Sequence, residues 1–243
     1  MTSLLQLVDV SKRYARGARA SRERIALRAV SLEVACGELV AVWGRRRSGR
    51  TTLLEICAGL EKPSTGRVCF AGCDLAERRV IGMQGGIGFA QPHFSRMHGV
   101  VVEQVATPLL KTHVRVESAQ MRAYELLERV GAADCAELVP DELESSELAR
   151  VTLARALIMR PRLVLLDAPT SGVTAPERDE IFALLRSLTR EDDIAMLMTV
   201  DEVPGLASVA DRLLSIGNGE LRGETHPAEP APVVPLRRAE PSA

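Results

Sequence analysis

Gly44-Arg45-Arg46-Arg47-Ser48-Gly49-Arg50-Thr51-Thr52 follows an apolar run, Glu38 to Trp43, and precedes a helix-like run, Leu53 to Leu60. A strand, a glycine-bounded loop and a helix in that order make a phosphate-binding loop. Gly44 and Gly49 permit the tight backbone path that aims amide N–H groups at phosphate oxygens. The helix start behind the loop favours anions, and Thr51 is placed to contact a Mg²⁺ ion. Ser48, Arg50 and Thr52 complete the candidate contacts of the loop. The pattern calls for lysine at position 50, and the chain carries arginine there. The three preceding arginines either add to a cationic phosphate cradle or point into solvent.

Outward from this loop, residues 4–10 and 30–43 alternate or run apolar as strands do. The Arg/Ala/Gly-rich stretch 15–24 between them reads as an exposed hairpin or loop. Residues 63–73 carry turn signals around a short strand. Apolar residues at 119, 123, 126, 127 and 130 give a helix over about 116–130. Ser145 or Ser146 is a suitable cap for a second helix running to Met159, ahead of Pro161. A buried-type strand follows at Leu163–Leu166, then a helix from Pro176 to Leu188 and a strand from Ile194 to Val200. Strands alternating with helices indicate an α/β protein with a parallel sheet. Beyond Gly223 the prolines lose all periodicity, so residues 224–243 are expected to be disordered.

Composition narrows the function. The chain has 243 residues, enough for a sizeable core, with 46% apolar residues but only 3% aromatics, so aliphatic side chains must fill the interior. A net charge of −1 argues against general nucleic-acid binding. No apolar run reaches the roughly 20 residues of a membrane span, and the N-terminal residues lack the charged start and long apolar core of a secretory signal. The five cysteines show no C-x-x-C pair and are expected to be reduced packing residues.

The segment Leu148 to Gly172, containing Arg-Ala-Leu-Ile-Met-Arg-Pro-Arg-Leu-Val-Leu-Leu-Asp-Ala-Pro-Thr-Ser-Gly at 155–172, resembles the signature helix and magnesium-binding strand of an ATP-binding cassette (ABC) ATPase. The resemblance runs from about Leu4 to Leu221. It is nearest to the cassettes of lipoprotein release, macrolide export and the cell-division complex, on Ile87-Gly88-Phe89-Ala90-Gln91 and Val102-Glu103-Gln104-Val105. It implies a P-loop NTPase fold of RecA type with an antiparallel β subdomain and an inserted α-helical subdomain at about 92–146, the cassette spanning 1–223. It also implies ATP and Mg²⁺ as ligands. Tyr14 would stack on adenine, Gln91 would touch Mg²⁺ or the attacking water and relay to a membrane permease subunit, and Asp167 would hold Mg²⁺ through water. A second cassette would complete the site, and the chain would sit in the cytoplasm, on the inner face of the cell membrane, through its permease.

Departures from the family pattern gather at the chemistry. The catalytic glutamate is replaced by Ala168, which cannot accept a proton, and loss of a general base costs about 10²–10⁴-fold in rate. The switch histidine is replaced by Val200, and the chain's histidines at 93, 98, 113 and 226 stand elsewhere. The signature reads Leu143-Glu144-Ser145-Ser146-Glu147, which brings Glu144 near the partner's phosphate, and Thr174 stands where the family has the D-loop aspartate. Three functions follow as expectations: a transporter nucleotide-binding subunit with strongly impaired hydrolysis, a non-catalytic scaffold or regulator built on the cassette fold, and an NTPase with rearranged catalytic groups.

Overall fold

The computed structural model describes residues 3–16, 22–91, 99–206 and 209–225. A 14-residue pair of antiparallel strands, β1 (Ser3–Arg16) and β2 (Arg22–Ala35), opens the chain. The run 30–43, which the sequence presents as one strand, is two. β2 ends at Ala35, the chain turns at Cys36-Gly37, and β3 (Leu39–Gly44) begins in a different sheet. Hydropathy is blind to that break because apolar residues flank a single turn. The strands also extend into the expected 15–24 loop, pairing Arg16 with Arg22, because a solvent-facing ribbon is held by backbone hydrogen bonds whatever its side chains. The tip at 17–21 lies outside the described residues.

After β3 come α1 (Arg50–Cys57), β4 (Thr65–Phe70) and β5 (Cys73–Asp74), then β6 (Ile87–Ala90). Next are α2 (Val101–Leu110), α3 (Val116–Arg129) and α4 (Ser145–Leu157), followed by β7 (Leu163–Asp167), α5 (Ala175–Asp192), β8 (Ala195–Val200), β9 (Arg212–Gly217) and β10 (Glu220–Thr225). One sheet has the order β2-β1-β4-β5 and is antiparallel. The other has the order β10-β9-β3-β8-β7-β6, parallel except for the terminal β9–β10 hairpin. The α/β class with an antiparallel sheet and a block of helices is therefore as the sequence indicates.

Strict alternation along the central strands divides the interior. Leu39 and Ala41 of β3, Val164 and Leu166 of β7, and Met196, Met198 and Val200 of β8 face a core shared with α2, α3, α4 and α5. Val40, Val42, Leu163, Leu165, Ala195 and Leu197 face the opposite core, shared with α1 and the antiparallel sheet. Burial on both faces explains why these strands read as unbroken apolar runs. Asp167 follows Leu163 and Leu165 in period, and Thr199 follows Ala195 and Leu197. Both therefore project from the carboxyl ends of neighbouring strands toward the α1 side, where the register pairs them directly. β10 extends to Thr225, two residues past the expected boundary at Gly223; residues 226–243 are outside the described part.

Candidate functional site

The loop between β3 and α1 is built by close packing of backbone. Gly49, at φ 110°, caps α1, and a Cβ there would stand 2.3 Å from the carbonyl oxygen of Ala26, so no other residue fits. The Ser48 carbonyl accepts the N–H of Gly219 at 3.1 Å, which ties the loop to the turn of the β9–β10 hairpin. The first backbone N–H groups of α1 have no partner within the helix. Ser48 Oγ is buried and lacks a hydrogen-bond partner, although its residue is only 8% exposed. An orphaned hydroxyl inside a loop of free amides suits a phosphate oxygen. Thr51 is exposed at the rim and Thr52 half-buried. Arg45, Arg46 and Arg47 are all exposed, which favours the solvent-facing alternative for the triple arginine.

Arg50 does not point along that cradle. Its guanidinium forks onto the end of β8: Nη1 donates to the carbonyl oxygen of Val200 and Nη2 to Oδ1 of Asp201. The side chain is 11% exposed, so the fork is largely shielded. Trp43 Nε1 donates to the Asp201 carbonyl at 3.1 Å, which holds the same segment from β3.

Asp167 ends β7 and accepts a 2.7 Å hydrogen bond from Thr199 Oγ1. Thr199 is fully buried and its oxygen also accepts the Ala168 N–H at 3.0 Å, so it fixes the turn that leaves the strand. The field here is negative. Burial first, then the charges of Glu61 and Asp167, push the Glu55 carboxyl above its ordinary range. Such a field next to Thr51 suits a divalent cation, and the residues present fit Mg²⁺-nucleotide. Thr51, Asp167 and Gln91 would hold the ion, which when bound would neutralise phosphate charge, while the loop amides and Ser48 would hold the phosphates.

A cleft of about 150 Å³ gathers several of the sequence-derived positions: Gln91, Ser145, Asp167 and Ala168 line it together, with Ser171 at the edge. Gln91 is exposed at the last described residue before 92–98. Tyr14 stands apart from this cleft, on the β1–β2 ribbon opposite Arg24, with the Lys12 ammonium 5.0 Å from its ring centre. At position 168 the side chain is a methyl group on a backbone with φ 47°. Val200 is 2% exposed and packs into the helical-side core, so its side chain has left the site altogether.

The start of α4 is closed by its own acids. Glu144 is the N-cap of α4, and the Glu147 carboxylate accepts its N–H at 2.9 Å. These carboxylates place negative charge where a helix N-terminus would otherwise attract an anion. Glu177 on α5 then accepts from Ser146 Oγ at 2.9 Å and from Thr174 Oγ1 at 2.6 Å. It thereby binds the first turn of α4 to the segment that enters α5. Sequence reasoning missed Thr199, Asp201 and Glu177. A threonine inside an otherwise apolar buried strand was the one available signal, for Thr199; the other two are surface acids until the fold supplies their partners.

Among known proteins, the family model described as ABC transporter matches residues 27–171. The lipoprotein-releasing system ATP-binding protein LolD of Chromohalobacter salexigens is 38% identical over 200 residues, covering 80% of this chain and 84% of that protein. The methionine import ATP-binding protein MetN of Rhizobium etli is 34% identical over 222 residues, covering 90% of this chain but 60% of the relative. In three dimensions, a dimeric ATP-binding cassette in a post-hydrolysis state bound to ADP and Pi superposes with a TM-score of 0.81 at 27% identity, over 93% of this chain and 99% of that one.

Proposed function

Because this chain belongs to the ABC transporter family of ATP-binding cassettes, we propose that it serves a membrane transport complex as a nucleotide-binding subunit that takes up Mg-ATP and hydrolyses it only very slowly. The observation that carries the reading is the contrast within one site. The scaffold is kept: a glycine-capped loop, a buried unpartnered Ser48 hydroxyl and a positioned Asp167. The groups that would move protons or grip the terminal phosphate are not. Ala168 has no basic atom, the Val200 side chain is buried in the core, and Arg50 is engaged elsewhere.

On this reading Asp167, oriented by Thr199, and Thr51 hold the cation, and the loop amides and Ser48 hold the phosphates. Ala168, the residue next to Asp167, has no atom that could deprotonate a water. Binding rather than turnover would then be the useful event, with a competent sister cassette or ATP binding itself driving the cycle of a permease docked near Gln91 to Leu110. Among the described residues no helix is long and apolar enough to cross a membrane, in keeping with attachment through such a partner. A second reading, a scaffold or regulator that binds proteins and not nucleotide, is favoured by the Arg50 engagement and by the acids at the start of α4.

The experiment is a steady-state ATPase assay on the wild type and on the double variant R50K/A168E, with position 200 left alone because its side chain faces the core. Turnover near background is expected for the wild type, and a gain of about 10²-fold or more for the variant, the share commonly carried by a general base. Ordinary cassette turnover in the wild type, abolished by Asp167→Ala, would overturn the proposal.

A further inference from the structure

We propose that Asp201 is a built-in competitor for phosphate at Arg50, so that polyphosphate binding and release of the segment after β8 are one event. The inference rests on the nucleotide-binding reading above and adds its regulation. Arg50 is the first residue of α1, directly behind the phosphate loop, yet both of its terminal nitrogens are used by Val200, the last residue of β8, and by Asp201 just after it. A guanidinium offers a planar fork that matches a carboxylate or a phosphate equally well. Here the carboxylate is supplied by the chain itself. The pair is asymmetric, Arg50 at 11% exposure and Asp201 at 44%, so water can reach the acid and replace the arginine when it leaves. Arginine meets the Val200 carbonyl and Asp201 Oδ1 with two separate nitrogens of one planar group, where lysine would have a single one.

The buried Ser48 Oγ, which has no protein partner, points to an anion as the rival partner, and the first backbone N–H groups of α1 lie beside it. Exchange of Asp201 for phosphate would free the Asp201 side chain while its carbonyl remains bonded to Trp43 Nε1 at 3.1 Å. Occupancy of the loop is thereby reported to the position that the family uses for its switch histidine, through an ion pair in place of the lost imidazole. Glu202, the adjacent acid, is already paired with Arg178 and does not compete.

Trp43 is the chain's single tryptophan, so its emission reads this segment directly. The test is calorimetric titration of the full-length protein with Mg-ATP, run in parallel with Trp43 fluorescence, on the wild type, D201N, D201A and the charge control E202Q. Removing the competitor is expected to tighten ATP binding about tenfold, the worth of one charge-assisted hydrogen bond, in both Asp201 variants. E202Q should bind as the wild type does. The emission of ligand-free D201N should already resemble that of ATP-saturated wild type. Equal or weaker binding by D201N and D201A, or equal tightening by E202Q, would refute the competitor and leave nucleotide binding standing. Binding by D201N and D201A but not by E202Q or the wild type would support it most strongly, and absence of binding by every variant at millimolar ATP would sink both readings.

Discussion

Glu177 shows how single residues redirect this cassette. Hydrogen bonds from Thr174 first and Ser146 second hold its carboxyl below the ordinary value of 4.5. The folded state therefore favours the ionised form. Its contribution to stability is present above the unfolded value and is lost as pH falls through the lower folded one. Glu177→Gln should flatten the acid limb of a melting-temperature profile below pH 4.5 by lowering the neutral plateau while leaving the most acidic points nearly unchanged; an unchanged neutral plateau would remove Glu177 from that role. Arg50 makes the complementary point. The replaced lysine is plain in the sequence, but its consequence is not, because the acid it meets lies 151 positions away. Likewise Ala168 and Val200 are legible as missing chemistry, whereas Thr199 holding Asp167 requires the β7–β8 register.

At the level of elements, the parallel strands and the long amphipathic helices are readable because burial imposes period on them. α5 runs from Ala175 to Asp192, one turn beyond the Leu188 expected from its apolar spacing, since its last turn is polar in sequence even though Thr189 is buried. The β9–β10 hairpin went unread, although Asn218-Gly219, at φ 53° and 81°, is the dipeptide that two-residue hairpin turns favour. That turn supports the phosphate loop. A Cβ at Gly219 would stand 2.7 Å from the Ala26 carbonyl oxygen, and the φ is unfavourable for alanine. Gly219→Ala should therefore cost more than about 1 kcal/mol in urea unfolding and weaken ATP binding through the Ser48 carbonyl. A variant as stable as the wild type would show that the hairpin is a bystander.

For the whole molecule, the decisive question is how two cassettes meet. In the cassette family each nucleotide lies between one chain's phosphate loop and the other's signature, so Glu144 and Glu147 at the α4 N-terminus would face a partner's phosphate. A carboxylate 4 Å from a phosphate charge costs about 4 kcal/mol at an effective dielectric of 20, an upper figure because Glu144 is exposed and can swing aside. Light scattering should therefore find the wild type monomeric in Mg-ATP, with Glu144→Ser shifting it toward the dimer. Equal dimerisation of the two proteins would show that Glu144 swings clear. The sequence by itself determined the α/β class and the family, and it carries the proposal that catalytic groups are missing, because these depend on periodicity and on residues adjacent along the chain. Only the tertiary structure decided what replaced the missing groups: Arg50 on Asp201, Thr199 on Asp167, and Glu177 across Ser146 and Thr174. Hydrogen bonds and ion pairs act over a few ångströms of space, and except for Thr174 and Glu177 these partners become neighbours only when distant strands and helices pack together.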